Sequence, residues 1–423
     1  MEDSRTTTGS GRKAVPILPP DLLVSILLKL PAKSLLRCRC VSRSWLSLIS
    51  QPQFIKNHLN LSIKSPTQNI LLTTFDTNDW IYTANLGAFD NVIVAQKLDY
   101  ILDHKPHDLP QIIGSHNGLV CVIFNMIIQE ELYCLFYVSN LSTRVYKQIE
   151  YFNLPHCANF HIHGFGYDHS VDDYKVLKGS EYGVYVYSLR TDSWKKVVQD
   201  FPIKSIGGDF SYQGIVKDSG THLNGAIHWL CSITSKRPLT IVAFDLVDEI
   251  FRKIPLPDLS SVDFDRRTIK LEVFGGCLCI LPMCAREFLV MKEYGVKQSW
   301  TKIEIAIPHP GNVYPWACLK NDEVLLKLDH EKFVLYNTGE RTYRDLDLCG
   351  VPARVILSYK DTYLDTLVSP IMVHETRSQK RQCQASQRGQ CQPRQRRQCL
   401  ASQRRQCVAS QSYADECEEV GEH

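Results

Sequence analysis

A repeated pattern between residues 135 and 346 restricts the fold of this chain more than any other feature. Five stretches each contain an apolar run, a short polar turn and a second run with an aromatic residue beside or near a basic one. The aromatic residues are Tyr146, Trp194, Phe251, Trp300 and Tyr343, separated by 48, 57, 49 and 43 residues. Apolar runs bounded by turns predict β-hairpins. A repeat of about 40 to 50 residues is typical of the blades of a β-propeller.

Further hairpins lie between these stretches and supply the remaining strands of each blade. Residues 115–123, 223–230, 274–281 and 320–328 each place a turn before an outgoing strand. Residues 70–86 predict an earlier strand pair. The sequence therefore predicts a mainly β domain over residues 69–374, an irregular β-propeller of roughly six blades closed into a ring without exposed sheet edges. A pair of stacked β-sandwiches built from the same hairpins is the alternative.

The N-terminal part has a different pattern, which predicts a small α module. Residues 18–54 read LPPDLLVSILLKLPAKSLLRCRCVSRSWLSLISQPQF, and between Leu22 and Leu30 only Ser25 and Lys29 are polar. A helix that is apolar nearly all round needs cover on several sides, and a unit of fewer than about 40 residues rarely folds unaided. The segment is also too short to span a bilayer. We predict three short helices that dock onto a second protein. An N-terminal helical cap on the downstream domain is the alternative.

Composition and charge narrow the class of protein. The N-terminus is polar, and the best later apolar run, residues 273–285, is interrupted by glycines and a proline, so we expect no membrane association and a cytoplasmic and/or nuclear location. The 16 cysteines are then expected to be reduced, and those in apolar patterns to be buried.

Of the 48 basic and 45 acidic residues of the chain, nine basic and five acidic ones lie from Arg377 onward. The folded part is electrically balanced, and we expect no nucleic-acid binding from it.

Two families resemble these segments. The residues Leu18-Pro19, Leu22-Leu23, Ile26-Leu27, Leu30-Pro31, residues 33–36 and CVSRSW at 40–45 closely resemble the F-box of plant F-box proteins. The runs GSHNGLVCV, GFGYDHSVDDYKVLK, THLNGAIHWLC and IVAFDLVDEIFRKIPLP resemble the kelch-like F-box-associated domain that follows the F-box in many plant proteins. In these shared runs the glycines are expected to serve turns and the aromatic residues to fill blade cores.

The resemblance implies a function and a set of partners. It identifies an F-box over residues 16–60 that binds the Skp adaptor of a Skp, cullin and F-box ubiquitin ligase, while the propeller selects a protein substrate through its loops. The residues implied in adaptor binding are Leu18, Pro19, Leu22, Leu23, Ile26, Leu27, Leu30, Pro31, Leu35, Val41 and Trp45. The substrate contacts are not identified. A propeller scaffold or ligand-binding protein that acts without ubiquitin transfer is the alternative.

Catalytic, metal and cofactor motifs were considered and not favoured. His156, Cys157, His161, His163, Asp168 and His169 are compatible with zinc, but no second spaced pair completes a tetrahedral set. Gly164-Phe165-Gly166 lacks the third glycine and the strand-to-helix setting of a nucleotide-binding loop. Cys277, Cys279 and Cys284 lie in an apolar strand pattern and are expected to be buried thiols. We therefore expect a non-catalytic subunit with no cofactor and no metal.

The two ends of the chain are expected to be disordered. Residues 1–15 are polar. In residues 375–423, Cys383, Cys391, Cys399 and Cys407 recur every eight residues, each preceded by glutamine, among arginines and almost no aliphatic residues. Such a composition cannot bury enough surface to fold. A lineage-specific or annotation-derived extension is the favoured interpretation of this tail, and weak RNA binding or nuclear import is the alternative.

Overall fold

The computed structural model of the chain describes most of the molecule up to Ile371. The described residues are 19–65, 68–75, 81–86, 91–98, 110–128, 131–153, 162–180, 183–197, 219–231, 239–257, 259, 269–319, 322–329, 331–350 and 356–371. The described residues all belong to one compact unit that ends at Ile371. The two segments predicted to be disordered, residues 1–15 and 375–423, lie outside the described residues.

The N-terminal module contains four helices rather than the three predicted. They are α1 Pro20–Leu28, α2 Ala32–Cys38, α3 Arg43–Ile49 and α4 Pro52–Ile63. Pro31 separates the first two helices, and the hydroxyl of Ser42 accepts a hydrogen bond from the backbone N–H of Trp45 (3.2 Å), which caps α3. The Gln51-Pro52 pair follows the end of α3. It also starts α4, because a proline is preorganised for the first position of a helix.

The rest of the compact unit is a six-bladed propeller of 24 strands within the described residues. The strands are β1 Gln68–Phe75, β2 Ile81–Leu86, β3 Val92–Lys97, β4 Gln111–His116, β5 Leu119–Ile128, β6 Glu131–Asn140, β7 Val145–Asn153, β8 Ile162–Asp168, β9 Asp173–Ser180, β10 Gly183–Ser188, β11 Ser193–Lys196, β12 Thr221–Leu223, β13 Ala226–Cys231, β14 Thr240–Asp245, β15 Phe251–Ile254, β16 Ile269–Phe274, β17 Cys277–Pro282, β18 Glu287–Met291, β19 Trp300–Glu304, β20 Val313–Cys318, β21 Glu323–Leu328, β22 Lys332–Asn337, β23 Thr342–Cys349 and β24 Ile356–Tyr363. Four consecutive antiparallel strands make each of blades two to six, starting at β4.

The first blade joins both ends of the domain. Its strand order is β24, β1, β2, β3, so the last strand of the chain is the innermost strand of the first blade, antiparallel to β1. The outermost strand β3 also pairs in parallel with β23 of the last blade, where Ile93 lies opposite Leu348. The six innermost strands contact one another in the ring order β4, β8, β12, β16, β20, β24. The ring is therefore closed, and the prediction of roughly six blades is confirmed.

The repeated aromatic residues occupy the same position in blades two to six, near the start of the outermost strand. Their partners on the preceding strand are Ser139, Tyr187, Phe244, Met291 and Tyr336, in chain order. Burial differs among them: Phe251 is buried, whereas about half of the surface of Tyr146 and Tyr343 is exposed. The expectation that the aromatic residues of the family-like runs fill blade cores is correct for Phe251, which lies in one of those runs, whereas Tyr146 and Tyr343 lie outside them.

Apolar layers between neighbouring blades form the core of the propeller. Between blades three and four, for example, Leu177 of β9 packs in one cluster with Trp229 of β13 and Phe244 of β14. The predicted turns precede the second strands, and Asn117-Gly118 and Asn224-Gly225 have the positive φ angles of two-residue hairpin turns. The fold thus follows the alternation of apolar strands and turn residues in the sequence.

The cysteine predictions are partly correct. Cys279 is buried and Cys277 is half-buried, but Cys284 is exposed because β17 ends at Pro282, two residues before it. In the helical module Cys38 is half-buried and Cys40 is exposed. All ten cysteines of the described part of the chain are free thiols. No helix among the described residues has both the length and the apolar character that a membrane crossing requires.

Candidate functional site

The helical bundle has a closed core that contains two of the predicted adaptor-binding residues. Leu27 of α1 and Leu35 of α2 have 1% and 0% of their surface exposed, and they pack with Ala32, Ile49 and Phe54. The His58 ring lies with its Nε2 3.0 Å from the carbonyl oxygen of Leu30, which ties α4 to the end of α1. Leu27 and Leu35 therefore support the bundle and offer no surface to a second molecule.

Other apolar side chains of the bundle point away from this core. Leu22 and Ile26, one turn apart on α1, are 54% and 50% exposed. Val41, in the turn before α3, is 66% exposed, and Leu46 of α3 is 46% exposed. We call these four residues the exposed apolar set. Leu46 is not among the residues that the resemblance implies in adaptor binding.

The remaining predicted residues lie between these extremes. Pro19 and Pro31 are exposed, whereas Leu23, Leu30 and Trp45 are half-buried and pack against the core cluster. Leu18 lies outside the described residues. The prediction treated α1 as apolar on nearly every side and did not separate these classes, although Asp21, Ser25 and Lys29 recur every four residues along an exposed side of the helix.

The chain after β24 attaches the bundle to the propeller. Leu367, with 3% of its surface exposed, belongs to the same core cluster as Leu27 and Leu35. The Asn140 amide donates hydrogen bonds to the carbonyl oxygens of Thr366 (3.0 Å) and Val368 (2.7 Å). We call residues 364–371 the linking segment. Its role leaves no mark in the sequence, because one leucine after the last strand forms no periodic pattern.

The centre of the propeller contains a small polar cavity. It holds about 100 Å³ and is lined by the innermost strands, with Ser115, Thr221 and Glu272 among its polar residues. Within the described ranges, no three His, Cys, Asp or Glu residues are grouped as a metal ion would need. His156, Cys157 and His161 of the considered zinc set lie outside those ranges.

Two members of the considered zinc set, His163 and Asp168, are described and buried, and both contact other residues of the propeller. His163 is buried in β8 and its ring lies 6.3 Å from the ring of Phe136. The Asp168 carboxylate forms an ion pair with Lys175 (2.8 Å). Burial acts to raise the pKa of Asp168, but hydrogen bonds from Lys175 and Ser170 outweigh it and hold this pKa below its ordinary value. Lys175 also forms an ion pair with Glu249 of the next blade, so Asp168 belongs to a charged network that joins two blades.

Three histidines near one end of the inner strands are held in their neutral form. Burial lowers the pKa of His116 and His228 to about 4 and that of His222 to about 3. The rings of His116 and His222 meet edge to face with centroids 4.4 Å apart. The carbonyl of Thr221 lies 3.1 Å from Nδ1 of His228, and the Tyr294 hydroxyl lies 2.6 Å from Nε2. A neutral ring with its proton on Nδ1 satisfies both contacts.

The fold and the bundle together define a class: a helical module with an open apolar surface, fixed to a closed propeller. Comparison with known sequences gives the family. Residues 16–57 match the F-box domain, and residues 71–367 match the F-box associated beta propeller domain. The chain belongs to the family of plant F-box proteins that carry this associated propeller. Homologues in this family are typically non-catalytic adaptor subunits, and the F-box indicates binding to a Skp-type adaptor.

Individual relatives agree with this assignment. The chain is 27% identical to the F-box protein CPR1 of Arabidopsis thaliana over 79% of its own length and 86% of the relative. It is 29% identical to the F-box/kelch-repeat protein At3g23880 of the same plant over 84% of this chain and 96% of the relative. Among solved structures, TolB from Acinetobacter baumannii is similar over 70% of this chain and 67% of that chain, with 11% identity and a TM-score of 0.37. That structural likeness is too weak to support an argument.

Proposed function

We propose that the protein is the substrate-recognition subunit of a Skp-cullin-F-box ubiquitin ligase. The observation that carries this proposal is the exposed apolar set. Leu22, Ile26, Val41 and Leu46 stay open although the bundle already has a complete core. Large apolar side chains exposed together on one small module are typical of a protein interface. The bundle therefore offers its apolar surface to the adaptor, and Leu27 and Leu35 hold that surface in shape.

The bundle is attached to one face of the propeller, and this attachment favours the opposite face as the binding site for the substrate. The linking segment contacts the second blade at Asn117 and Asn140, where turns join its first and second and its third and fourth strands. The connections between second and third strands, and those between blades, start at the opposite ends of the strands. We propose that the substrate binds at this opposite face, away from the adaptor.

Described residues of the opposite face give it a mixed chemical character. Met283, which follows β17, is 58% exposed. The His309 ring lies with its Nε2 2.8 Å from the Asp329 carboxylate, and the Arg286 guanidinium donates to the carbonyl oxygens of Ile307 and Gly311 (3.0 Å each). These bonds fix the backbone beside Met283, so that an apolar contact is presented on a rigid support.

The role in ubiquitin transfer is one of proximity. A closed propeller with a rigidly attached bundle holds a bound substrate at a fixed distance from the adaptor, which raises the effective concentration of its lysines near the conjugating enzyme. This chain then needs no catalytic group of its own. The alternative, a propeller scaffold that acts without ubiquitin transfer, requires no adaptor contact. We also propose a cytoplasmic or nuclear location, which fractionation of the tagged full-length chain tests.

A pull-down of full-length protein with a purified plant Skp adaptor tests the proposal. The double variant Leu22→Asp/Ile26→Asp should lose adaptor binding while keeping its thermal unfolding temperature, because both side chains are already exposed. The matched control is Leu61→Asp/Ile63→Asp, which places the same charges on equally apolar, 46% exposed residues of α4. That control should bind normally. Failure of the wild type to bind, or equal loss in both double variants, would overturn the proposal.

A further inference from the structure

Two cysteines of neighbouring blades are in contact near the centre of the propeller, and the family assignment gives them no role. Cys279 lies in β17, the second strand of blade five, and Cys318 ends β20, the innermost strand of blade six. Their Sγ atoms are 3.6 Å apart, close enough for one thiol to donate a hydrogen bond to the other. Both belong to the apolar cluster that packs between these two blades. The fold therefore brings together two free thiols that lie 39 residues apart in the chain.

One of the two cysteines borders a space that solvent reaches. Cys318 is 5% exposed and lines the polar cavity at the centre of the propeller, whereas Cys279 is 0% exposed. Ser115 and Glu272, also in the cavity wall, are partly accessible to solvent. The cavity holds about 100 Å³, which is room for several water molecules. It is smaller than the usual sites for organic ligands, which start at roughly 300 Å³. A reagent of the size of water therefore reaches Cys318, and a large one does not.

The surroundings give the two thiols different roles. Burial raises the pKa of Cys279 well above its ordinary value, so this residue stays protonated. The thiolate is the form of cysteine that attacks an oxidant, and Cys279 supplies it poorly. Cys318, at the cavity, is therefore the residue that is oxidised first. Cys279, in contact with it, is the thiol that reacts with the oxidised product.

We propose that Cys279 and Cys318 form an oxidation site at which hydrogen peroxide links blades five and six through a disulfide bond. In the first step the Cys318 thiol takes one oxygen from the peroxide: the O–O bond breaks, an S–O bond forms and one water leaves. In the second step the Cys279 sulfur displaces the hydroxyl group of this sulfenic acid, and the thiol proton leaves with that hydroxyl as a second water. Two thiols and one peroxide thus give one disulfide and two waters. This proposal does not depend on ubiquitin transfer.

Peptide mapping of the full-length protein after treatment with hydrogen peroxide tests the site. The remaining thiols are alkylated during denaturation, and mass spectrometry of the digest should show a peptide pair linked through Cys279 and Cys318 that dithiothreitol separates. Glutathione disulfide is too large for the cavity and should not produce this pair. The unfolding temperature of the oxidised protein should rise by about 4 °C or more, because the cross-link restricts the unfolded chain.

Alanine variants separate the site from other cysteine chemistry. Cys279→Ala and Cys318→Ala should each abolish the linked pair. In Cys279→Ala, dimedone added during denaturation should label the sulfenic acid of Cys318. Cys231→Ala is the matched control, because Cys231 is equally buried on the second strand of blade four, in a cluster that contains no other cysteine. That variant should form the link at the rate of the wild type.

Three results would count against the proposal. Absence of the linked pair in the oxidised wild type would overturn it. A link from Cys318 to the half-buried Cys277 in place of Cys279 would also overturn it. A linked protein that unfolds at the temperature of the reduced protein would show that the bond does not hold the two blades together.

Discussion

The hydroxyl of Ser62, near the end of α4, donates a hydrogen bond to the backbone carbonyl of Asp365, which lies 303 residues later in the chain (3.2 Å). Asp365 follows β24, the strand that closes the propeller ring. The bundle is therefore fastened to the same segment that completes the first blade. A single stretch of chain thus stabilises the ring and sets the position of the adaptor-binding module.

The first prediction concerns Leu367, the apolar anchor of the linking segment. Leu367→Ala removes a side chain that is 3% exposed and should lower the free energy of unfolding by about 2 to 4 kcal/mol. Chemical denaturation measures the loss, and hydrogen exchange should show it mainly in the bundle helices. Ile371→Ala is the control, since Ile371 is 50% exposed and should change stability by less than about 0.5 kcal/mol. Equal losses in the two variants would contradict the anchoring role.

A second prediction compares two glycines with similar backbone conformations. Gly118 has a φ of +86° and Gly276 a φ of +74°, so alanine is strained at both positions. A Cβ at Gly118 would overlap the Thr366 hydroxyl and come within 2.8 Å of the Leu364 carbonyl oxygen, whereas a Cβ at Gly276 meets nothing within 4 Å. Gly118→Ala should therefore cost more stability than Gly276→Ala, by about 1 to 3 kcal/mol. Thermal unfolding of the two variants under the same conditions gives this difference, and a difference near zero would mean that the linking segment moves freely.

Structural features formed by residues close together in the sequence were predictable, whereas contacts between distant residues were not. The hairpins carrying Trp194, Phe251 and Trp300 were predictable, because a turn and two strands lie within about 15 residues and repeat. The pairing of β1 with β24 was not, since it joins opposite ends of the domain and no local periodicity records it. The half-exposed positions of Tyr146 and Tyr343 also depend on tertiary structure, namely on how far a neighbouring blade covers the outermost strand.

The same distinction applies to the candidate site. The apolar character of α1 and the resemblance to an F-box identified the docking module. Ile26 is exposed while Leu27 is buried, and the polar series Asp21, Ser25 and Lys29 marks the exposed side of α1 next to Ile26, a signal that the resemblance to an F-box did not use.

A third prediction concerns the buried amine of Lys178. Its side chain is fully buried, with Nζ 2.5 Å from the Cys134 sulfur and 5.8 Å from the centre of the Phe136 ring. Desolvation lowers the pKa of this lysine, so the unfolded chain binds the proton more tightly than the folded chain does. At a pH where the unfolded lysine is protonated, this difference lowers the free energy of unfolding. Lys178→Met keeps the packing and removes the charge, and it should raise the free energy of unfolding at pH 7 by about 1 to 3 kcal/mol.

The pH dependence and a second variant check this explanation. The stability of the wild type should rise relative to Lys178→Met as pH increases through the lowered pKa of the folded lysine towards its ordinary value of 10.5, because the folded lysine releases its proton at lower pH than the unfolded one. Lys178→Ala also removes the charge but leaves a cavity, so it should be less stable than Lys178→Met. A methionine variant that is less stable than the wild type by more than about 1 kcal/mol would show that the amine makes a net favourable contact.

The fourth prediction follows from the lowered pKa values of His116, His222 and His228. The ordinary pKa of histidine is 6.5, and the folded values are about 4, 3 and 4. Between pH 6.5 and pH 4 the unfolded chain therefore binds protons that the folded chain does not, and the free energy of unfolding falls as pH falls. The stabilising contribution is complete above about pH 6.5. Once the unfolded histidines are protonated, the slope is about 1.4 kcal/mol per pH unit for each residue.

Urea denaturation at intervals between pH 7 and pH 5 measures this slope above the range in which ordinary carboxylates titrate. His222→Phe removes one titrating group from the contact with His116 and should reduce the slope by about one third, because three similar histidines contribute. The slope, rather than the absolute stability, is the readout, so a packing change caused by the larger ring does not obscure the result. An unchanged slope in this variant would mean that His222 binds a proton in the folded propeller as readily as in the unfolded chain.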